Sequence, residues 1–211
     1  MAIRDIVKYG DPRLVARNED VTDFEDPALP VLVRDLLETG WAAPGLGIAA
    51  PQIGVNKRVC VVDLSVGKDP SQILVLVNPR VVDAEGLVRD EEGCLSFPDV
   101  VEIVERPEAV AVEAYDEKGV KRILEGSDLL ARAFCHEIDH LDSRLFIERM
   151  SSLKRGLVLR KVLLLVAVDG EHVHGLGTAP ARAVEDVLGD GERAHALERD
   201  IQLFGELAVH G

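Results

Sequence analysis

Residues 127–141, Ser-Asp-Leu-Leu-Ala-Arg-Ala-Phe-Cys-His-Glu-Ile-Asp-His-Leu, constrain this chain most, because they hold no glycine or proline and open with the cap-like Ser127 and Asp128. That composition predicts a helix over 127–141. At 3.6 residues per turn, positions i and i+4 differ by about 40°, so His136 and His140 share a face and can grip one cation. Glu137 sits beside them, placed to take a proton from a water at that cation, which is the hydrolytic use of a His-Glu-x-x-His helix. The other four of the six histidines all lie beyond residue 170. The bland alternative is an amphipathic helix with satisfied histidines, and it accounts less well for that concentration.

A catalytic site of this type needs a third protein ligand and one open position for water. Cys135 is adjacent to His136 and points about 100° away around the helix, which makes it a poor candidate. Cys60 falls mid-strand, and for both the better reading is a small buried hydrophobe. Cys94, between Gly93 and a Ser-x-Pro turn, is where a backbone can present a thiolate, so it is the expected third ligand. The run Gly45-Leu46-Gly47-Ile48-Ala49-Ala50-Pro51-Gln52-Ile53-Gly54 lacks the third glycine of a dinucleotide fingerprint and the Lys-Ser/Thr of a Walker loop. Its small residues suit close backbone approach beside the metal, with the Gln52 amide aimed at a developing oxyanion.

At 211 residues, 47% of them hydrophobic, the chain can bury a sizeable core. No stretch of about 18 uncharged apolar residues occurs, which argues against a membrane span. The first residues alternate charge and apolar groups and lack signal-peptide character, and the three cysteines are few, scattered and odd in number. A reducing, cytoplasmic setting is expected. A net charge of −14 disfavours DNA binding through a broad basic face. The clearest basic island, Lys154-Arg155 with Arg160-Lys161, is expected on a helix beginning near Ser151.

Residues 10–30 read as a winding segment with one short helix near Pro12 to Ala16. Apolar residues at Val31, Leu32, Leu36 and Leu37 predict a helix over 29–39, with Gly40 as its stop. Residues 58–64 and 73–78 are β-branched runs that predict buried strands, and 101–115 also reads as strands, closed by a hairpin turn at Asp116-Glu117-Lys118-Gly119. The expected fold class is α+β, with short mixed or antiparallel sheets packed around a central metal-bearing helix.

Together, Gly45 to Gln52, Glu92 to Ser96 and His136 to His140 closely resemble the three signature motifs of peptide deformylases, in the same order and with similar spacing. The similarity runs over roughly residues 2–165, including Tyr9-Gly10-Asp11-Pro12. The resemblance implies an α+β fold and hydrolysis of the formamide on N-formylmethionyl peptides, releasing formate. It implies that Cys94, His136 and His140 hold one divalent metal, Fe²⁺ in the cell with Zn²⁺, Ni²⁺ or Co²⁺ as substitutes. Glu137 would be the general base and then the proton donor to the departing amine. Gln52 and the Leu95 N–H would stabilise the oxyanion, a contribution of about 3 kcal/mol per donor. Leu46 and Gly47 would pair with an extended substrate, and Leu129 and Ala133 would wall the methionine side chain. Two positions depart from the family's common pattern. Cys135 stands where the family commonly has Gln, and Ser143 where a glycine usually follows.

Two rival functions set limits on this reading. A zinc endopeptidase would take its third ligand from downstream, but position 146 is Phe, not His, and for a class that uses a glutamate there Glu171 is the only remotely placed candidate. A non-catalytic module binding the ribosome near the nascent-chain exit would use the Lys154 island, although every chemical residue is intact and such an island is more often a solvated helix face. Composition shifts after about residue 168, so residues 1–168 are the expected catalytic domain and 169–211 an extension of unknown role. Residues 181–188 and 193–203 within it could each form a helix.

Overall fold

The computed structural model describes residues 3–168; the extension beyond them, with its two candidate helices, lies outside the described residues. Two helices sandwich a five-stranded antiparallel sheet whose strand order is β1-β2-β3-β6-β7. Its members are β1 (Gly47–Ala49), β2 (Val59–Val62), β3 (Leu74–Glu85), β6 (Ala109–Tyr115) and β7 (Lys121–Ser127). The remaining strands, β4 (Val88–Cys94) and β5 (Phe97–Arg106), form a separate antiparallel hairpin.

The helices are α1 (Ala28–Ala42) and α2 (Asp128–Leu141). Alternation along β2 explains the sandwich. Val59 and Val61 join Leu29, Val33 and Leu36 of α1 in one core, whereas Cys60 and Val62 join Phe134, Ile138 and Leu141 of α2 in another. Every residue of β2 is therefore buried, which is why its sequence reads as a continuous apolar run rather than an alternating one.

Three local expectations are corrected. Gly40 does not stop α1, which continues to Ala42; a Cβ on Gly40 would lie 3.2 Å from Ile48 Cγ2, so the glycine serves helix–strand contact. The strand predicted to end at Asn78 runs on to Glu85, with register shifts on either side of Arg80. Pro79 has no N–H for the ladder, and Asn78 at φ 51° turns its side chain to Val21 instead, so the strand bends and resumes. Ser127 does occupy the N-cap of α2, but its side chain makes no capping bond. It is still paired with Ala109 in the sheet, and Asp128 N–H donates to Glu108 O, so β7 passes straight into the helix.

Cys60 lies mid-strand and buried, as expected. Residues up to Met150 make one compact unit, and a second begins with α3 (Ser152–Val168), which carries Lys154, Arg155, Arg160 and Lys161. No helix among the described residues is long and apolar enough to cross a membrane.

Candidate active site

α2 runs under the sheet with its polar face turned toward the β4–β5 hairpin, and that arrangement brings Cys94, at the end of β4, against the two histidines. The ligand-capable atoms of Cys94, His136 and His140 all lie within 4.8 Å of one another, and all three residues are buried. Cys94 Sγ is 3.3 Å from His140 Nε2. His136 Nδ1 meets Glu92 Oε1 at 2.7 Å, which leaves Nε2 as the ring nitrogen available to the site. Burial, with the charge of the neighbouring His136, holds the pKa of His140 well below the usual imidazole range, whereas His136, although burial opposes it, is held well above that range by Cys94 and Glu92, so a bound cation would have to displace the His136 proton. A thiolate and two imidazoles fit a divalent transition metal by ligand type and number.

Glu137 stands beside this group, 4% exposed, and its Oε2 has no hydrogen-bond partner among the described residues. An orphaned carboxylate oxygen at this depth is costly unless it has work at the site. Burial raises its pKa to about 7, with the charge of Glu92 adding and those of His136 and Arg106 opposing. A cation held by the neighbouring ligands would lower it.

Gln52 is buried in the short 3₁₀ turn Ala50–Ile53, after β1. Its Oε1 accepts from Ala49 N at 2.8 Å, which turns the amide nitrogen toward Cys94 Sγ at 3.6 Å and Ser96 Oγ at 3.4 Å. Leu95 forms the turn between β4 and β5, and its carbonyl is taken by Lys8 Nζ at 3.0 Å. One cavity of about 500 Å³ is lined by Leu46, Gly47, Gln52, Cys94, Leu95, Leu129, Ala133, His136 and Glu137. Every site residue expected from the sequence lines it except His140, which is buried. Leu129 is half exposed at the mouth and Ala133 lies deeper. β1 is an edge strand of its sheet, with one side paired to β2.

The sequence reading assigned no role to the network behind the histidines. Glu92 accepts from Arg106 Nη2 (2.6 Å) and Nε (3.0 Å), from Arg132 Nη1 (2.9 Å) and from His136 Nδ1 (2.7 Å). Arg106 also donates to Asp139 at 2.6 Å, and Arg149 closes on the same carboxylate. Although burial opposes ionisation, the Arg106 and His136 bonds hold Glu92 well below the usual carboxylate range. It is therefore a fixed anion that orients the His136 ring. No local pattern marks Glu92, which follows the exposed Asp90 and Glu91 and precedes the exposed Gly93 in β4.

Among the described residues no other group of ligands gathers, and Phe146, where one class of endopeptidase would need histidine, is buried with its ring 6.0 Å from that of His136. Glu171 lies outside the described residues. Cys135 is buried on α2, its thiol pushed up by burial, and is not among the gathered ligands. Ser143 adopts φ 60° just past the helix end and donates its hydroxyl to Ala16 O at 2.7 Å.

Residues 3–156 match the family described as polypeptide deformylase. The chain is similar to the peptide deformylase of Acidobacterium capsulatum, 51% identical over 162 residues that cover 77% of this chain and 95% of that one. It is similar also to that of Heliobacterium modesticaldum, 50% identical over 72% of this chain and 97% of the relative. Among solved structures, a peptide deformylase from Legionella pneumophila superposes with a TM-score of 0.75 at 39% identity, covering 81% of this chain and 99% of that one. One from Thermus thermophilus gives 0.72 at 41% identity, over 78% and 97%.

Proposed function

The chain belongs to the polypeptide deformylase family and is an enzyme, a deformylase hydrolase; from that premise we propose that it removes the formyl group from the N-formylmethionine of nascent polypeptides, releasing formate. The observation that carries this reading is the convergence of Cys94, His136 and His140 within 4.8 Å beside a partnerless Glu137 oxygen. Cys94, His136 and His140 would hold one divalent ion, Fe²⁺ in the cell by family resemblance, with Zn²⁺, Ni²⁺ or Co²⁺ as substitutes. A bound ion would supply Lewis-acid chemistry, acidifying water and polarising the formyl carbonyl.

The chain's own groups would do the rest. Glu137 takes the proton from the attacking water and later delivers it to the departing nitrogen, so that the C–N bond breaks to formate and a free amine. The Gln52 amide and the Leu95 N–H donate to the oxygen that gains charge in between. Leu46 and Gly47 on the β1 edge pair with the extended peptide in the manner of strand addition. Leu129 and Ala133 wall the methionine side chain. In this reading residues 1–168 form the catalytic domain, residues 169–211 are an extension, and the enzyme acts in the cytoplasm. The basic residues of α3 are its contact with the ribosome near the nascent-chain exit, and unchanged co-sedimentation after charge reversal of Lys154, Arg155, Arg160 and Lys161 would remove that contact.

The test is anaerobic purification with metal analysis, then a formate-release assay on formyl-Met-Ala-Ser with wild type and Glu137→Ala. Release by wild type alone, with about one metal per chain, supports the assignment. Metal without formate release from wild type overturns it.

A further inference from the structure

His136 and His140 are held by different means. The His136 ring is oriented through Nδ1 by Glu92, whereas His140 Nδ1, although buried, meets no hydrogen-bonding group of the described residues. A metal-binding imidazole usually has its ring set by a partner on the other nitrogen. For His140 that control has to come through its backbone.

The N-terminal segment grips that backbone. Asn18, 7% exposed, donates one carboxamide hydrogen to His140 O and the other to Leu141 O, each at 3.0 Å. Its Oδ1 accepts from Asn56 Nδ2 at 3.0 Å, so the amide cannot turn without breaking bonds at both ends. Arg58 Nη1 adds a second bond to Leu141 O at 2.9 Å, and the Ser143 hydroxyl ties the following residue to Ala16 O. The segment is itself anchored, since Glu19 N donates to Asn56 O and Arg58 N donates to Glu19 O. Carbonyls in the last turn of a helix lack their full intrahelical bonding, and here Asn18, more than 100 positions away in sequence, adds to the Ser143 N–H that His140 O already accepts.

We infer that Asn18 is a positioning residue for the metal site, holding the last turn of α2 so that His140 Nε2 stays in register with Cys94 Sγ. The inference rests on the assignment of Cys94, His136 and His140 as ligands. Asn18→Asp keeps the size of the side chain and the bond from Asn56 but has no hydrogen for the carbonyls, so it separates donation from packing.

The experiment loads full-length wild type, Asn18→Ala and Asn18→Asp with Co²⁺. It measures release to a chelator and the thiolate-to-cobalt absorption, alongside thermal melting of the metal-free proteins. Both variants should release cobalt about tenfold faster, the lower end of the usual effect of groups that orient ligands, with an altered absorption envelope. A purely structural strap would lower the metal-free melting temperature and leave release and spectrum unchanged, and release within about twofold of wild type in both variants overturns the inference. Should the Asn18 variants fail to fold, Asn56→Ala keeps Asn18 in place but removes the bond to its Oδ1 that fixes the direction of the amide. Faster release supports the proposal there and an unchanged rate overturns it. If wild type itself takes up no cobalt, the ligand assignment fails and the inference with it, whereas cobalt-binding wild type with unchanged variants sinks the inference alone.

Discussion

Gly47 stands against Glu137 so closely that a Cβ on Gly47 would lie 2.6 Å from Glu137 Oε1. The edge strand and the candidate base therefore share one small space, and the glycine is required by approach rather than by backbone angle. In Gly47→Ala the carboxylate has to move. Because misplacing a reacting group by about 1 Å can cost 100-fold, we expect kcat to fall by about that factor while bound metal per chain stays unchanged. Metal analysis and formate-release kinetics on the same preparation check this, and a kcat near wild type would show that the carboxylate does not act from where it stands.

The raised pKa of Glu137 ties activity and stability to pH in opposite senses. A base must be ionised, and a divalent cation beside the carboxyl lowers its pKa, so activity of the metal-loaded enzyme should rise with pH through a window below the metal-free value of about 7. For stability, the folded pKa is above the unfolded one, so the folded state is favoured by protonation. Nothing is lost below the unfolded value of about 4.5, and stability falls as pH climbs to about 7. The full cost is of the order of 3 kcal/mol. Melting of metal-free wild type and Glu137→Gln should diverge in the variant's favour between these pH values and run parallel above them. Parallel curves throughout would mean that the carboxylate is not strained by burial.

Glu92 is the common anion of Arg106, Arg132 and His136, and it is buried with both arginines. Removing one member of such a buried cluster leaves charge without a partner, which costs about 3–5 kcal/mol. Arg106 keeps Asp139, so Glu92→Ala should fall near the lower figure by denaturant unfolding. It should also release metal faster, because the His136 ring loses its orienting bond. Stability within about 0.5 kcal/mol of wild type would show that the cluster is solvated in practice.

The parts of this site legible in the sequence are those with a local rule behind them. The i, i+4 spacing of His136 and His140 needs only helix geometry, and Cys94 stood out because Cys60 and Cys135 each had a better apolar reading. What escaped depends on long-range contact. β4 and β7 went unread because their outward residues are charged, so neither shows a clean apolar period. Gly40 looked like a stop until Ile48 was placed against it, and Asn78-Pro79 looked like a strand end until the ladder was seen to resume. Glu92 and Asn18 are polar side chains that only the folded chain turns inward, and no pattern along the sequence distinguishes them from solvated neighbours.

Cys94 discriminates between the family chemistry and any reading that takes its third ligand downstream. Its thiol lies on the hairpin rather than on α2, and among the described residues only it completes a ligand group with the two histidines. In Cys94→Ala two imidazoles remain, too few for a stable site of this kind. We expect metal affinity to fall by at least about 100-fold and formate release to fall in step. Chelation of the wild type should have the same consequence for activity and should be reversed by restoring Fe²⁺ under anaerobic conditions or Ni²⁺ in air. Competition against a chromophoric chelator measures the affinity. A Cys94→Ala protein that still holds one equivalent of metal would place the third ligand elsewhere in the chain.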